Sequence, residues 1–241
     1  QGNAKLDLFV SGKDVYKVNA AATFRVAYED VTDEQRQIGK VQELALGFSG
    51  GVGAFAAMGR NYGIVLPESD ARRMVDGWRR ANPWAMTYWQ NLESAYLRAM
   101  RNKHHPVQVG RVTYLFDGTH LWYALPSGRV LCYPFARFEG DELTYLKAAW
   151  KPAQGAKEWP RARLWRGLAC ENITQATAND LLRYALRRVD AVLHVHDEIV
   201  LETDQPEEAA AELKRVMTTP PNWAGGLPLA ADVKIMRRYG K

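Results

Sequence analysis

Two cysteines, Cys132 and Cys170, are all that 241 residues hold, too few for a disulfide framework or a zinc quartet. No apolar run approaches the ~18 residues that a membrane span needs. The amino terminus, Gln1-Gly2-Asn3-Ala4-Lys5-Leu6-Asp7, has neither the apolar core of a signal peptide nor an initiator Met. Internal repeats and low-complexity segments are lacking too. The glycines of Gly50–Gly53 are not followed by Gly-Lys-Ser/Thr, which excludes a Walker loop. Secreted disulfide scaffolds, zinc modules and helical membrane proteins are thereby set aside. What is left is a soluble protein of a reducing compartment, read as cut from something longer.

Apolar residues make up 47% of the chain, enough to bury a sizeable core. The net charge is +5, and it is uneven: residues 1–190 carry 26 basic and 19 acidic side chains, residues 191–241 carry 6 and 8. A basic balance favours a polyanionic partner.

The pattern along the chain predicts an α+β fold with a helical first half. Residues 1–104 read as helical. Thr32-Asp33-Glu34-Gln35 has the form of a capping box, and Ile38, Val41, Ala45 and Leu46 follow as a helical apolar face that weakens at Gly47. After the flexible break at 49–53 comes an apolar stretch around Ala54–Met58. Pro67 and Pro83 open two more helices, to about residues 80 and 103. Val107–Phe116 and His120–Leu125 are β-rich and flank Asp117-Gly118, a hairpin signal. Val130–Tyr133 is a further strand. Residues 150–168, with three Trp, two Pro, two Gly and many cations, read as a basic loop. A helix over 172–188, strands at Val192–Val195 and Ile199–Glu202, and a surface helix over 206–217 complete the prediction.

Three groups of residues could carry chemistry. His196-Asp197-Glu198 lies between two apolar runs, so a strand–turn–strand would put both carboxylates at a tight tip. Paired carboxylates there suit a hard divalent cation; an ordinary polar turn would use the same residues. Arg36 and Lys40 are four apart on one helix face, and Leu44 and Phe48 extend that stripe. Two cations followed by two apolar groups match a nucleoside triphosphate, with phosphates at one end and base at the other; a solvated helix face is the plainer alternative. Arg72, Arg73, Arg79, Arg80, Arg98, Arg101 and Lys103 are interleaved with Trp78, Trp84, Trp89 and Tyr96, as in surfaces that track nucleic acid. Core tryptophans beside solvated arginines would look the same.

Taken in order, these pieces resemble a family A (polymerase I-like) DNA polymerase of phage or prophage type. Gly12-Lys13-Asp14-Val15-Tyr16 with Thr32–Phe55 resembles the fingers segment, its Arg-x3-Lys motif standing as Arg36 and Lys40. Glu171–Asp180 resembles the palm helix that touches the primer terminus. Val195-His196-Asp197-Glu198 is similar to the catalytic hairpin, motif C. Leu125-Pro126-Ser127-Gly128-Arg129 and the tail from Pro220-Pro221-Asn222-Trp223-Ala224 to Arg238-Tyr239 resemble the phage branch.

The resemblance implies a fingers region over 1–104, with its dNTP-binding helix at 33–47. It implies a partial palm over 105–241, with β-hairpins, the primer-contacting helix 172–188 and the motif C hairpin 192–202. It further implies template-directed DNA synthesis, nucleotidyl transfer from dNTP to a primer 3′-hydroxyl. Asp197 and Glu198 would be metal ligands in a two-metal Mg²⁺ site. Asp197 would be catalytic, and so would Lys40 if it protonates the pyrophosphate. Arg36, Lys40, Leu44, Phe48 and Tyr16 would bind dNTP, while Gln175 and His196 would lie against DNA. Expected partners are primer-template DNA, dNTPs and an upstream polymerase segment. The chain is expected to be a monomer without membrane association, in the cytoplasm of a bacterium or phage-infected host.

Leu44 stands where the family usually has an aromatic, Phe48 where it has Tyr, and Tyr16 where bacterial members have His. The stretch from Gln175 to His196 is several residues shorter than usual. The second metal-binding Asp, in motif A, would lie upstream of this segment, as would the thumb; Asp7 sits in a different context. The chain alone is therefore expected not to turn over. The alternative is a non-catalytic DNA- and dNTP-binding polymerase remnant, or one piece of a split polymerase. A metal-dependent phosphatase or nuclease site at Asp197-Glu198 is a third reading, opposed by the stripe from Arg36 to Phe48.

Overall fold

The computed structural model describes residues 3–148 and 159–240. Helices and sheets are both present, and the helices come first: α1 (Asn3–Val10), α2 (Val15–Phe24), α3 (Asp33–Leu46), α4 (Val52–Asn61), α5 (Glu68–Ala81) and α6 (Pro83–Arg101). The capping box forms at α3, where Gln35 N–H donates to Thr32 Oγ1 and Thr32 N–H donates to Gln35 Oε1. Val41 and Leu46 are fully buried, while Ile38 and Ala45 are half-buried. Gly39 and Gln42 join the buried face. A Cβ on Gly39 would collide with the Tyr16 backbone carbonyl of α2, so the two helices approach as closely as backbones can. Gln42 donates to the Met74 carbonyl at 2.7 Å and to Thr23 Oγ1 at 3.0 Å, which satisfies its buried amide.

Trp78 of α5 and Trp89 of α6 are core, while Trp84 at the start of α6 is half-buried. Trp78 and Trp89 are 1% and 3% exposed and stack at 6.1 Å, and Tyr96 is buried as well. Arg72 and Arg73 pair with Glu68 and Asp70 on their own helix.

Among the described residues nine strands follow: β1 (Val107–Val109), β2 (Val112–Phe116), β3 (Leu121–Ala124), β4 (Val130–Tyr133), β5 (Arg137–Glu139), β6 (Glu142–Leu146), β7 (Arg161–Arg163), β8 (Leu193–Val195) and β9 (Glu198–Val200). They form a four-stranded sheet in the order β1-β2-β3-β4, a three-stranded sheet β5-β6-β7 and the two-stranded β8-β9. The run expected over Val107–Phe116 is two strands, because Gly110 turns the chain at φ 56°. Tyr114, Tyr123 and Tyr133 stand in a buried aromatic column with Tyr96 and Tyr145 at its ends.

The expected basic loop over 150–168 lies outside the described residues up to 158. The rest of it is not a loop. Arg161–Arg163 pairs with β6, and the helix expected from residue 172 begins at Arg166, as α7 (Arg166–Leu186). Two charges flanking one alanine show no apolar alternation, so β7 is held by its pairing and not by its pattern. The chain leaves α7 without Gly or Pro. Just past its end the Arg188 N–H donates to the Ala185 carbonyl at 2.9 Å, and the Arg188 side chain donates to the Tyr184 carbonyl at 2.7 Å with its guanidinium over the Tyr184 ring. The last helix, α8 (Pro206–Thr218), opens on Pro206 with Glu207 and Glu208 in its first turn.

The chain divides into two compact units. One comprises residues 1–123 and 130–172, the other residues 124–129 and 173–241. In the second, Leu182 and Ala185 of α7, Ile199 of β9, and Leu213 and Val216 of α8 form the core. Among the described residues no helix is long and apolar enough to cross a membrane.

Candidate functional site

The capping box fixes where α3 begins, and the buried Val41–Leu46 side fixes its rotation. Arg36, Lys40 and Leu44 are left on a more open side: the two cations are half-buried and Leu44 is 41% exposed. Phe48, half-buried, comes just past the helix end. The four residues thus share one stripe of the first unit, and Tyr16 reaches it from α2.

Both cations meet protein partners. Arg36 Nε lies 2.6 Å from Asp14 Oδ2, and its guanidinium carbon lies 5.4 Å from the centre of the Tyr16 ring. Lys40 Nζ lies 4.8 Å from the centre of the Tyr62 ring, at the end of α4. Burial works to raise the Asp14 pKa, but hydrogen bonds from Arg36 and from the Lys17 and Tyr16 backbone outweigh it and hold it below the ordinary carboxylate value. On another side of α3, Glu43 contacts Lys5, Asn19 Nδ2 at 2.7 Å and Trp78 Nε1 at 3.2 Å.

Beyond α3, Ser49 adopts φ 60°. It borders a cleft of about 390 Å³ lined also by Glu93, Arg163, Trp165 and Arg166. Arg166 Nε donates to Ser49 Oγ at 3.2 Å. A Cβ on Gly167 would strike the Trp165 ring and the Phe48 carbonyl, so this glycine lets α7 start against the end of α3. Nothing in the sequence pattern picks out this cleft, because its lining comes from three distant segments. The Gly50 carbonyl accepts from Arg79 Nη2 at 3.1 Å.

In the second unit, Val195 pairs with Glu198, so the two-residue tip is His196-Asp197 and Glu198 is the first residue of β9. This corrects the expectation that Asp197 and Glu198 both form the tip. His196 carries φ 53°, a left-handed backbone unfavourable for a residue with a Cβ. The burial of Ile199 directs its neighbours Glu198 and Val200 to the other face of the strand. Asp197 is exposed and Glu198 half-buried. The Tyr239 hydroxyl donates to Glu198 Oε2 at 2.9 Å, a contact that raises the tyrosine's own pKa. Gln175 is exposed on α7. Next to it, the Ala176 carbonyl accepts from Arg129 Nη2 at 2.6 Å, and Arg129 Nε lies 2.7 Å from buried Asp180, which Ser127 also contacts.

Asp197 and Glu198 present hard oxygen donors. Among the described residues, no group of three or more His, Cys, Asp or Glu stands together as a metal cage. A carboxylate pair fits Mg²⁺, which keeps several waters and takes the rest of its shell from substrate phosphates.

Compared with known proteins, the chain is 36% identical over 246 residues to a DNA polymerase of Bacillus phage SP02, covering 98% of this chain and 38% of that protein. The chain is thus similar to a phage DNA polymerase along nearly its whole length. A DNA polymerase of Bacillus phage SP01 is 23% identical over 243 residues, covering 98% of this chain and 23% of that protein. The chain also shares a fold with the POL domain of Pol1 from M. smegmatis, solved in complex with DNA primer-template and dNTP. The TM-score is 0.56 at 16% identity, over 93% of this chain and 34% of that one. No protein-family model matches. The chain therefore spans well under half the length of the phage polymerases it matches.

Proposed function

We propose that the chain provides the dNTP-binding fingers and part of the palm of a family A DNA polymerase, acting in template-directed DNA synthesis. The observation that carries this reading is the open stripe of α3, where two cations spaced one turn apart lead to Leu44 and Phe48. Arg36 and Lys40 bind the triphosphate. Lys40 also stands to give a proton to the departing pyrophosphate. Leu44, without a ring to stack, contacts the nucleotide by apolar packing, and Phe48 bounds the base from the helix end without the hydroxyl of a tyrosine. Asp197 and Glu198 are the carboxylates that would hold Mg²⁺. That ion, when bound, supplies charge neutralisation and Lewis acidity to phosphoryl transfer. Gln175 and His196 lie against the primer-template. Trp165 with Arg163 and Arg166 offers stacking and charge to a DNA strand.

A second reading, a DNA- and dNTP-binding chain without turnover of its own, is favoured by one observation. Among the described residues no third acid joins Asp197 and Glu198, whereas two-metal transfer uses carboxylates on both sides of the ion pair.

Calorimetric titration with Mg·dATP and a primer-extension assay on the same preparation separate these readings. Binding is expected, and Lys40→Ala should weaken it by about tenfold or more, as removal of a charge-assisted phosphate contact does. Extension abolished by Asp197→Ala would establish the enzyme, and binding without extension, by the chain alone and again after an upstream polymerase segment is added, would establish the second reading. Unchanged affinity in Lys40→Ala would remove Lys40 from the triphosphate site.

A further inference from the structure

Asp14 lies 22 residues before Arg36, and its two carboxylate oxygens do different work. Oδ1 caps α2, accepting from Tyr16 N–H at 2.8 Å and Lys17 N–H at 3.2 Å. Oδ2 takes Arg36 Nε at 2.6 Å. The Asp14 backbone is itself anchored, its N–H donating to the Tyr28 hydroxyl at 3.1 Å. Arg36 is thus gripped at Nε by an anion on a helix cap and faced by the Tyr16 ring. This contact leaves the fork formed by Nη1 and Nη2 for another acceptor. A guanidinium left to itself on a half-open helix face samples many rotamers, and ordering it on binding costs up to about 2 kcal/mol.

We propose that Asp14 is a positioning residue for triphosphate recognition, which rests on the dNTP reading of α3. It holds Arg36 by Nε so that the terminal nitrogens meet the phosphates already oriented. Its own negative charge is offset by the guanidinium, so the site stays net attractive to an anion. The N-cap role and the Arg36 role can be separated chemically. Asn caps a helix about as well as Asp but offers Arg36 no charged acceptor.

The test is a double-mutant cycle on the full chain, with Mg·dATP titrated calorimetrically and thermal unfolding recorded for each protein. Asp14→Asn should unfold near the wild-type temperature yet bind about five- to thirtyfold more weakly, the factor expected for re-ordering one guanidinium. In an Arg36→Ala background the same substitution should have no further effect. Asp14→Ala should lose both affinity and thermal stability. Affinity in Asp14→Asn equal to or tighter than wild type would overturn the proposal, the tighter case marking Asp14 as a competitor of phosphate. An equal loss with and without Arg36 would overturn it too, by showing that Asp14 acts only through the fold. Wild-type protein that fails to bind, or binds unchanged in Arg36→Ala, would instead reject the triphosphate reading of α3 and the role of Asp14 with it.

Discussion

At the scale of single residues, the charged groups of this molecule are set by short-range partners. Arg36 and Lys40 each lie against a tyrosine ring, so both cations are partly desolvated on one side before any ligand arrives. Asp117 shows the same principle in a turn. Its oxygens accept from Thr119 N–H at 2.7 Å, His120 N–H at 2.8 Å and Trp122 Nε1 at 2.7 Å. The His120 backbone bond, then the Trp122 bond, push its pKa down to about 2 from 3.8. A carboxylate with a lowered folded-state value stabilises the fold above its ordinary pKa, and that stability is lost as pH falls from about 3.8 to about 2. Asp117→Asn should therefore lower the urea midpoint at pH 7, and the gap from wild type should narrow through that acid window. A gap that persists unchanged into the window would show that the charge contributes nothing.

At the scale of elements, α3 is the frame of the candidate site, and its seat is Gly39 against the Tyr16 carbonyl. Helix propensity alone says Gly39→Ala should stabilise by about 1 kcal/mol. Packing says the reverse: the new methyl forces α2 and α3 apart, at a cost of about 1–3 kcal/mol. We expect a lower chemical-denaturation midpoint, together with weaker Mg·dATP binding, because Tyr16 also faces Arg36. A raised midpoint would mean that α2 gives way freely. The start of α3 was legible from sequence because a capping box is local, with donor and acceptor three residues apart. The stripe Arg36–Lys40–Leu44 was legible because helical spacing alone puts it on one side. The grip of Asp14 on Arg36, the buried contacts of Glu43 and the bond from Tyr239 to Glu198 join residues 22 to 41 apart. No periodicity encodes such pairs. β5 and β7 escaped for another reason: Arg-Phe-Glu and Arg-Ala-Arg are short, charged segments whose strand form comes from a neighbour's backbone.

At the scale of the whole molecule, residues 1–190 carry 26 basic and 19 acidic side chains, an excess that on the proposed reading would face the phosphates of DNA. If about five phosphates are contacted, log affinity for primer-template should fall with log salt at a slope of roughly −4 to −5. Anisotropy titrations at several salt concentrations read this directly, and a slope near zero would show that phosphates are not the contact. The second unit has a further property written into its wiring. The turn at 124–129 reaches Asp180 and the Ala176 carbonyl through Ser127 and Arg129, across 47 to 53 residues of intervening chain. A ribosome adds about 5–20 residues per second. The turn is thus made several seconds before the helix that completes it, and the second sheet is synthesised in between. Apart from that early turn, assembly follows synthesis: the first unit can consolidate once residue 172 is made, and the second closes only after the residues beyond it are added.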